Sequence, residues 1–290
     1  MGDHGLKEAV SRRWGFIEFC LNWEGSVGRK RLQDVFGISP QQATNDLNGY
    51  NDYAPGNMTY DPRKKKYLPS ESFIPRFIED DPYDYLHHVN ATIDGHSKVR
   101  SWLGYAYKAA GVSVMKRQIS ADVLRTILQG IREQRVVTAR YIALSLSSDS
   151  QEKRIVPQAL AFDGHRWHAR AFNMERDRFS DYVLSRFESA EAGEQITESV
   201  RPDLDWIETI DLHLLPNPEL DSDGRRGLEY EYLMENGKLV LEVKKAMLFY
   251  YLRQYGFNPL PLDNGRMLNQ SSFNLVIENF DEVETCLNRR

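Results

Sequence analysis

Two β-prone segments joined by Asp163-Gly164 constrain the fold of this chain more than any other feature. This dipeptide favours the positive φ angles of a tight hairpin turn. Alternation after the turn separates two faces, with Trp167, Ala169 and Ala171 on one and His168, Arg170 and Phe172 on the other. An imidazole and a guanidinium on one strand face need solvent or polar or anionic partners. The sequence therefore predicts a β-hairpin with one strongly polar face.

The N-terminal segment has the pattern of three short helices. Apolar residues from Val10 to Leu21 recur at helical spacing, and Glu24-Gly25 ends that helix. A second helix is predicted over Arg29–Phe36, followed by a turn at Gly37-Ile38. Ser39-Pro40 is a strong start for a third helix, because serine caps the end and proline suits the first helical position. This order predicts a helix-turn-helix.

The third predicted helix carries the candidate base-reading residues. The polar side chains on the side away from its apolar residues contain no carboxylate and can pair with base edges or phosphates. These candidates are Ser39, Gln41, Gln42, Thr44, Asn45 and Asn48. In helix-turn-helix proteins the N-terminal residues of this helix enter the major groove. We therefore expect this helix to recognise duplex DNA.

A basic hairpin is predicted directly after the third helix. Two short strands, near residues 58–60 and 65–68, surround a turn with four consecutive basic residues, Arg63, Lys64, Lys65 and Lys66. Such a hairpin suits a wing that lies on the phosphate backbone, and Arg29 and Lys30 would add phosphate contacts. The alternative is a solvated basic turn. Together with the helices, the hairpin predicts a winged helix-turn-helix over residues 1–70.

The rest of the chain alternates helices and strands. Residues 80–85 indicate either a helix entry or an acidic loop, and a helix is predicted from Ser120 to about Gln134. Four β segments with short connections then suit a small barrel: Val136–Leu146, Lys153–Phe162, His165–Asn173 and Arg178–Phe187. After an Asn236-Gly237 turn we expect a strand over Leu239–Val243 and a helix over Ala246–Tyr255. The predicted fold is thus α+β and multidomain.

The barrel segment resembles the WYL domain, a small Sm-like barrel that senses ligands in bacterial regulators. The resemblance is carried by Arg154-x-x-Pro157-x-x-Leu160, the hairpin, Trp167-His168-Ala169 and the closing Tyr182–Arg186 segment. It implies a polar pocket for a nucleotide or short nucleic acid, built from Tyr141, Arg154, His168, Arg170, Ser185 and Arg186. Strand alternation would let only one of Ser185 and Arg186 face that pocket. Like charges in such a cluster would repel without an anion.

The order of segments over nearly the whole chain is similar to the BrxR/CapW group of WYL-domain transcriptional repressors, found beside anti-phage systems such as BREX and CBASS. The resemblance implies a homodimer that binds an inverted-repeat operator and responds to a nucleotide or nucleic-acid effector. The expected domains are a winged helix (1–70), a helical linker or dimerisation segment (71–134), an SH3-like or Sm-like WYL barrel (135–195) and an αβ C-terminal dimerisation extension (196–290).

Composition and motifs narrow the function classes. The net charge of −5 is uneven, since residues 1–70 carry +2 and residues 196–290 carry −7, which leaves the N-terminal part free to approach phosphate. No secretory signal or membrane-spanning run is recognisable, and two distant cysteines fit a reducing cytoplasm. The adjacent pair His87-His88 does not share a face, so no metal or other cofactor is expected.

Two other functions remain open at this point. No common nucleotide-binding, hydrolase or zinc-protease motif occurs, so we expect no enzyme, although scattered Asp and His residues could form a nuclease site. An RNA-binding or single-stranded nucleic-acid-binding module is the second alternative, because Sm-like barrels also occur in such proteins. Preference for duplex operator over RNA, and intact DNA in the presence of metal ions, would discriminate among them.

Overall fold

The computed structural model describes residues 8–93, 102–104, 108–111, 117–144, 151–196, 200–260 and 267–288. The chain divides into two compact units, Met1–Val114 and Met115–Arg290. Among the described residues, the buried apolar side chains form one cluster in the first unit and two in the second. The fold is mixed helix and sheet, as predicted.

The first unit is a helix-turn-helix followed by a β-hairpin. Its elements are α1 (Glu8–Glu24), α2 (Arg29–Phe36), α3 (Pro40–Tyr53), β1 (Met58–Asp61), β2 (Lys66–Pro69) and α4 (Pro82–Ile93). The two strands pair antiparallel, with Tyr60 opposite Tyr67. Gly37 ends α2 at a φ of 67°, and Ser39 caps α3. The three predicted helices and the hairpin are confirmed, and residues 80–85 form a helix entry.

The second unit begins with α5 (Ala121–Glu133) and a five-stranded antiparallel sheet. The strands are β3 (Arg135–Tyr141), β4 (Gln151–Phe162), β5 (Trp167–Asn173), β6 (Arg178–Val183) and β7 (Phe187–Gln195). They lie in the order β6-β5-β4-β3-β7. Bulges in the β3–β7 and β4–β5 ladders bend the sheet. This is the strand order of a small SH3-like or Sm-like barrel, with the last strand returning to pair with the first.

The end of the sheet differs from the prediction. The fourth strand stops at Val183, and Leu184–Arg186 forms a 3₁₀ turn before the fifth strand. That strand was not predicted because all but two of its residues are exposed, so it lacks an alternating apolar pattern. The first strand also stops at Tyr141 rather than Leu146, and residues 145–146 of that prediction lie outside the described residues. Strand alternation between Ser185 and Arg186 therefore does not apply.

Helix α5 packs closely against the sheet. Val123 and Ile127 are buried in the same apolar cluster as strand residues. Gly130 faces the sheet, where a Cβ atom would lie 2.9 Å from the Val137 Cγ2 and 3.1 Å from the Pro157 Cγ. The lack of a side chain at this position therefore sets how closely helix and sheet approach each other.

The C-terminal part of the second unit is a smaller αβ domain. Its elements are α6 (Leu204–Ile207), β8 (Thr209–Pro216), α7 (Ser222–Glu231), β9 (Leu239–Lys244), α8 (Leu248–Gln254), β10 (Leu275–Ile277) and α9 (Phe280–Asn288). The strands pair antiparallel in the order β10-β8-β9. The turn at Asn236-Gly237 has the positive φ angles that its sequence favours, 53° and 74°. The predicted strand and helix after it are confirmed, the helix with a 3₁₀ turn at its start.

Candidate functional site

The predicted base-reading face of α3 is accessible. Ser39, Gln41, Asn45 and Asn48 are exposed, and Gln42 and Thr44 are half-buried. The Ser39 hydroxyl accepts a hydrogen bond from the Gln42 backbone N–H at 3.1 Å, so it caps the helix. The Gln41 side-chain amide donates to the Asn45 side-chain Oδ1 at 3.0 Å, which holds these two side chains side by side. The face thus presents amide and hydroxyl groups to solvent.

The basic hairpin holds its charges at an exposed tip. The Asp61 carboxylate accepts hydrogen bonds from the backbone N–H groups of Arg63 at 2.8 Å and Lys64 at 3.1 Å. Lys65 adopts a φ of 54°, which closes the turn. The four basic side chains from Arg63 to Lys66 are all exposed. The tip can therefore approach a phosphate backbone without rearrangement of the turn.

The hairpin is tied to the start of α2. Val27 and Tyr67 form a bridge through two backbone hydrogen bonds of 2.9 and 2.8 Å. This bridge brings Arg29, Thr44 and Lys65 to the lining of one depression of about 260 Å³. Three residues predicted from separate sequence segments therefore share one surface. The neighbouring Lys30 is also exposed.

A buried carboxylate that the sequence analysis missed anchors this surface from below. Glu18 of α1 is fully buried and accepts a hydrogen bond from the Tyr50 hydroxyl of α3 at 2.9 Å. It also accepts the backbone N–H groups of Arg76 and Phe77 at 2.8 and 2.6 Å. Burial, together with the nearby Glu18 charge, raises the pKa of Tyr50. One carboxylate thereby joins α1, α3 and the segment that follows the hairpin.

A second buried carboxylate that was not predicted from the sequence fixes α3 against α1. Asp46 is buried and receives two hydrogen bonds from the Arg13 guanidinium, at 2.7 and 3.0 Å. The Gln42 amide donates to the same carboxylate at 3.0 Å. The Trp14 indole N–H donates to the Asp46 backbone carbonyl at 3.1 Å. The Arg13 and Trp14 contacts join residues 33 and 32 positions apart, so no local sequence pattern marks them.

In the barrel, His168 has an acidic partner. Its ring is buried, and its Nε2 lies 2.9 Å from Oδ2 of Asp163 in the hairpin turn. The other Asp163 oxygen accepts the backbone N–H groups of His165 and Arg166, at 2.8 and 2.6 Å. Burial opposes ionisation of Asp163, but hydrogen bonds from His168 and these backbone groups outweigh it and lower the pKa of Asp163 to about 2.

Arg170 is surrounded by acids. Its side chain is buried and donates to both oxygens of Asp203, at 2.7 and 3.0 Å, and to Asp181 at 3.2 Å. Asp181 also accepts the Tyr250 hydroxyl of α8 at 3.0 Å. Burial would lower the pKa of Arg170, but the hydrogen bond to Asp203 and the charges of both acids raise it. The predicted need for polar or anionic partners on this strand face is confirmed, because carboxylates contact both His168 and Arg170. The premise that these two cations repel each other unless an anion is bound is therefore wrong.

The other predicted pocket residues lie on separate elements. Tyr141 on β3 is buried, and its hydroxyl accepts the Val183 backbone N–H at 3.2 Å. Arg154 on β4 is half exposed and lies 3.8 Å from Glu194. Ser185 and Arg186 are half-buried in the 3₁₀ turn. Internal partners already hold Tyr141, His168 and Arg170, whereas the side chains of Arg154 and Arg186 reach solvent.

Within the described ranges, no group of three or more His, Cys, Asp or Glu residues is placed to hold a metal ion. No helix in that part of the chain is long and apolar enough to cross a bilayer.

Three family matches cover most of the chain. Residues 9–91 match the BrxR transcriptional regulator winged helix-turn-helix domain. Residues 122–192 match the WYL domain. Residues 209–283 match the BrxR transcriptional regulator C-terminal dimerization domain.

Relatives that are similar over nearly the whole chain are described as transcriptional repressors in several bacteria. The DNA-binding transcriptional repressor CapW of Pseudomonas aeruginosa is 31% identical over 287 residues, which cover 99% of this chain and 94% of that protein. CapW of Stenotrophomonas maltophilia is 32% identical over 286 residues, with 98% and 94% coverage. Among solved structures, proteasome accessory factor B/C (PafBC) of Arthrobacter aurescens matches 98% of this chain and 46% of that chain, at 12% identity and a weak TM-score of 0.30.

Proposed function

Because the chain belongs to the BrxR/CapW family of DNA-binding transcriptional repressors, we propose that it represses an anti-phage defence operon as a homodimer on an inverted-repeat operator. One helix-turn-helix supplies few base contacts, and a two-fold pair of them is the usual route to adequate specificity. The C-terminal dimerization domain supplies the pairing. Such a repressor acts where bacterial DNA lies, in the cytoplasm.

The observation that carries this proposal is the shared surface of α3 and the basic hairpin. Gln41, Gln42, Thr44, Asn45 and Asn48 read base edges, since amides pair with the donor and acceptor pattern of the major groove. The hairpin residues and the start of α2 hold phosphates, which sets affinity and its dependence on salt. Phosphate contacts come from Arg29, Lys30, Arg63, Lys64, Lys65 and Lys66.

The WYL domain supplies the regulatory input. We infer that it binds a phosphate-bearing effector, a nucleotide or short nucleic acid, that shifts the dimer away from its DNA-competent geometry. A switch from 1:99 to 99:1 requires about 5.5 kcal/mol of preference for the released state. Linkage then requires that operator DNA weaken effector binding by the same factor. Of the six residues first predicted, Arg154 is exposed, whereas Ser185 and Arg186 are half-buried.

The experiment is footprinting and gel-shift titration of the full chain on duplexes from its own promoter region. Asn45→Ala costs about 1–3 kcal/mol and relaxes specificity at particular base pairs. Asn45 is a sharper test than Gln42, because Gln42 also donates to the buried Asp46. Lys65→Ala weakens all duplexes similarly and lowers the salt dependence by about one charge. Arg226→Ala, exposed on α7, removes the same charge and serves as control.

Several outcomes would overturn the proposal. Changed sequence preference in Lys65→Ala but not in Asn45→Ala would reverse the roles of hairpin and helix. Tighter binding of RNA than of any promoter duplex would favour an RNA-binding module. Metal-dependent loss of the DNA would indicate a nuclease. Light scattering that shows a monomer both free and on DNA would exclude the dimer.

A further inference from the structure

Three arginines converge on a depression in the second unit. None of the candidate ligand-binding residues predicted from the sequence belongs to its lining. Its volume is about 350 Å³. Arg166 comes from the β4–β5 hairpin, Arg253 from α8 and Arg117 from the segment before α5. The Arg117 guanidinium donates to the His165 backbone carbonyl at 2.6 Å, which joins that segment to the hairpin. The depression therefore has walls from the barrel and from the C-terminal domain.

Among the described lining residues, the one carboxylate, Asp163, is already engaged by several groups. Asp163 is buried, with 4% of its side chain exposed. Its oxygens already accept two backbone N–H groups and contact His168 and Arg166 at 2.9 and 3.2 Å. Among the described lining residues, three guanidinium groups therefore stand against one carboxylate. Among the described residues, no acid forms an ion pair with Arg253, whose side chain is exposed.

The side chains of the lining favour a ligand that carries a phosphate group. Guanidinium groups bind phosphate oxygens in pairs through their planar donors, and several of them around one depression suit a doubly charged anion. Tyr250 and Gln254 complete the lining with an aromatic ring and an amide. An aromatic ring beside a phosphate site can also stack on a base. We propose that this depression, lined by Arg117, Arg166 and Arg253, is a binding site for a phosphorylated small molecule.

The site lies where a bound ligand would contact both the barrel and the C-terminal domain. A ligand held by Arg166 and Arg253 connects the barrel hairpin to α8, and Arg117 lies close to the start of the second unit at Met115. This consequence rests on the proposed ligand-responsive function, whereas binding itself does not. The site thus links a phosphate group to the domain expected to pair the protomers.

Isothermal titration calorimetry of the full chain at low ionic strength tests the site with pyrophosphate, adenosine 5′-monophosphate and adenosine. We expect both phosphate-bearing probes to bind and adenosine to bind at least tenfold more weakly. Arg253→Gln and Arg117→Gln should each raise the Kd about tenfold, equivalent to about 1.4 kcal/mol. Arg253→Lys should recover part of the loss. Arg226→Gln is the matched control and should bind like the unaltered chain.

Failure of this site and failure of the proposed regulatory function give different experimental results. Unchanged affinity in both Arg253→Gln and Arg117→Gln, or no binding of either phosphate probe at millimolar concentration, would overturn the site. Loss of binding in Arg154→Gln alone would show that the effector binds at Arg154 on β4 rather than in this depression. The proposed sensing role would then remain. Binding that depends on Arg253 but leaves operator affinity unchanged would keep the site and refute its regulatory role. Tighter binding of the nucleotide than of pyrophosphate would identify a nucleotide as the ligand class.

Discussion

Asp203→Asn tests whether the buried charges around Arg170 stabilise the second unit. The side chains of Arg170 and Asp203 are 5% and 8% exposed, and two hydrogen bonds of 2.7 and 3.0 Å join them. Asparagine has nearly the same shape and keeps one acceptor oxygen. The substitution therefore removes the negative charge with little change in packing.

The expected loss follows from the charges that remain. Opposite charges about 3 Å apart attract by about 5 kcal/mol at an effective dielectric constant of ~20, and desolvation offsets part of this. Removing one partner of a buried pair costs about 3–5 kcal/mol. Asp181 at 3.2 Å and Asp205 at 3.8 Å still face Arg170. We therefore expect Asp203→Asn to lower the free energy of unfolding by about 3 kcal/mol.

Thermal unfolding followed by circular dichroism measures this loss at fixed protein concentration, because a dimer's transition depends on concentration. A loss of about 3 kcal/mol lowers the midpoint by about 6–12 °C in a unit of this size. Hydrogen exchange of the β5 amides identifies which transition belongs to the barrel. Arg154→Gln, which breaks a half-exposed 3.8 Å pair, is the control and should cost less than about 1 kcal/mol. Equal small losses in both variants would refute the reasoning.

Three further variants test other contacts. Asp163→Asn should lower stability by about 2 kcal/mol at pH 7, because the folded pKa of this carboxyl is about 2 against an ordinary 3.8. In urea titrations the difference should be complete above about pH 4 and vanish as the pH falls through 2; a constant difference would contradict the assignment. Ser39→Ala should cost about 1 kcal/mol through loss of the α3 cap, with Ser39→Gly costing only a few tenths in the same melts. Gly130→Ala should destabilise by about 1 kcal/mol although alanine favours helices, because its Cβ would press on Pro157; a higher melting temperature would show that the helix can shift.

Local signals in the sequence predicted the helix starts and hairpin turns, whose geometry is set by a few neighbouring residues. Ser39-Pro40 starts a helix, and Asp163-Gly164 makes a hairpin in which Gly164 has a φ of 86°. Both signals depend on backbone preferences of neighbouring residues, so they can be recognised without knowledge of the fold. The candidate DNA-contacting residues follow from the same local patterns.

The contacts that tertiary packing creates could not be predicted in this way. Arg170 and Asp203 are 33 positions apart, as are Arg13 and Asp46. Each of these acids appears in the sequence as an ordinary surface residue until the fold buries it beside its partner. The exposed fifth strand was missed for the opposite reason, since it pairs through its backbone and leaves little apolar pattern.

The Glu18 carboxylate has a consequence for how DNA is bound. It holds both Tyr50 of α3 and the backbone after the basic hairpin, so it helps to fix the position of α3 relative to the hairpin in the free protein. These are the proposed base-reading helix and the proposed phosphate-binding tip. A rigid spacing loses little conformational entropy when the duplex arrives. In the proposed mode of binding, a duplex whose groove width differs from that spacing would have to deform, at a free-energy cost that depends on its sequence. The protein would then discriminate between duplexes by their shape.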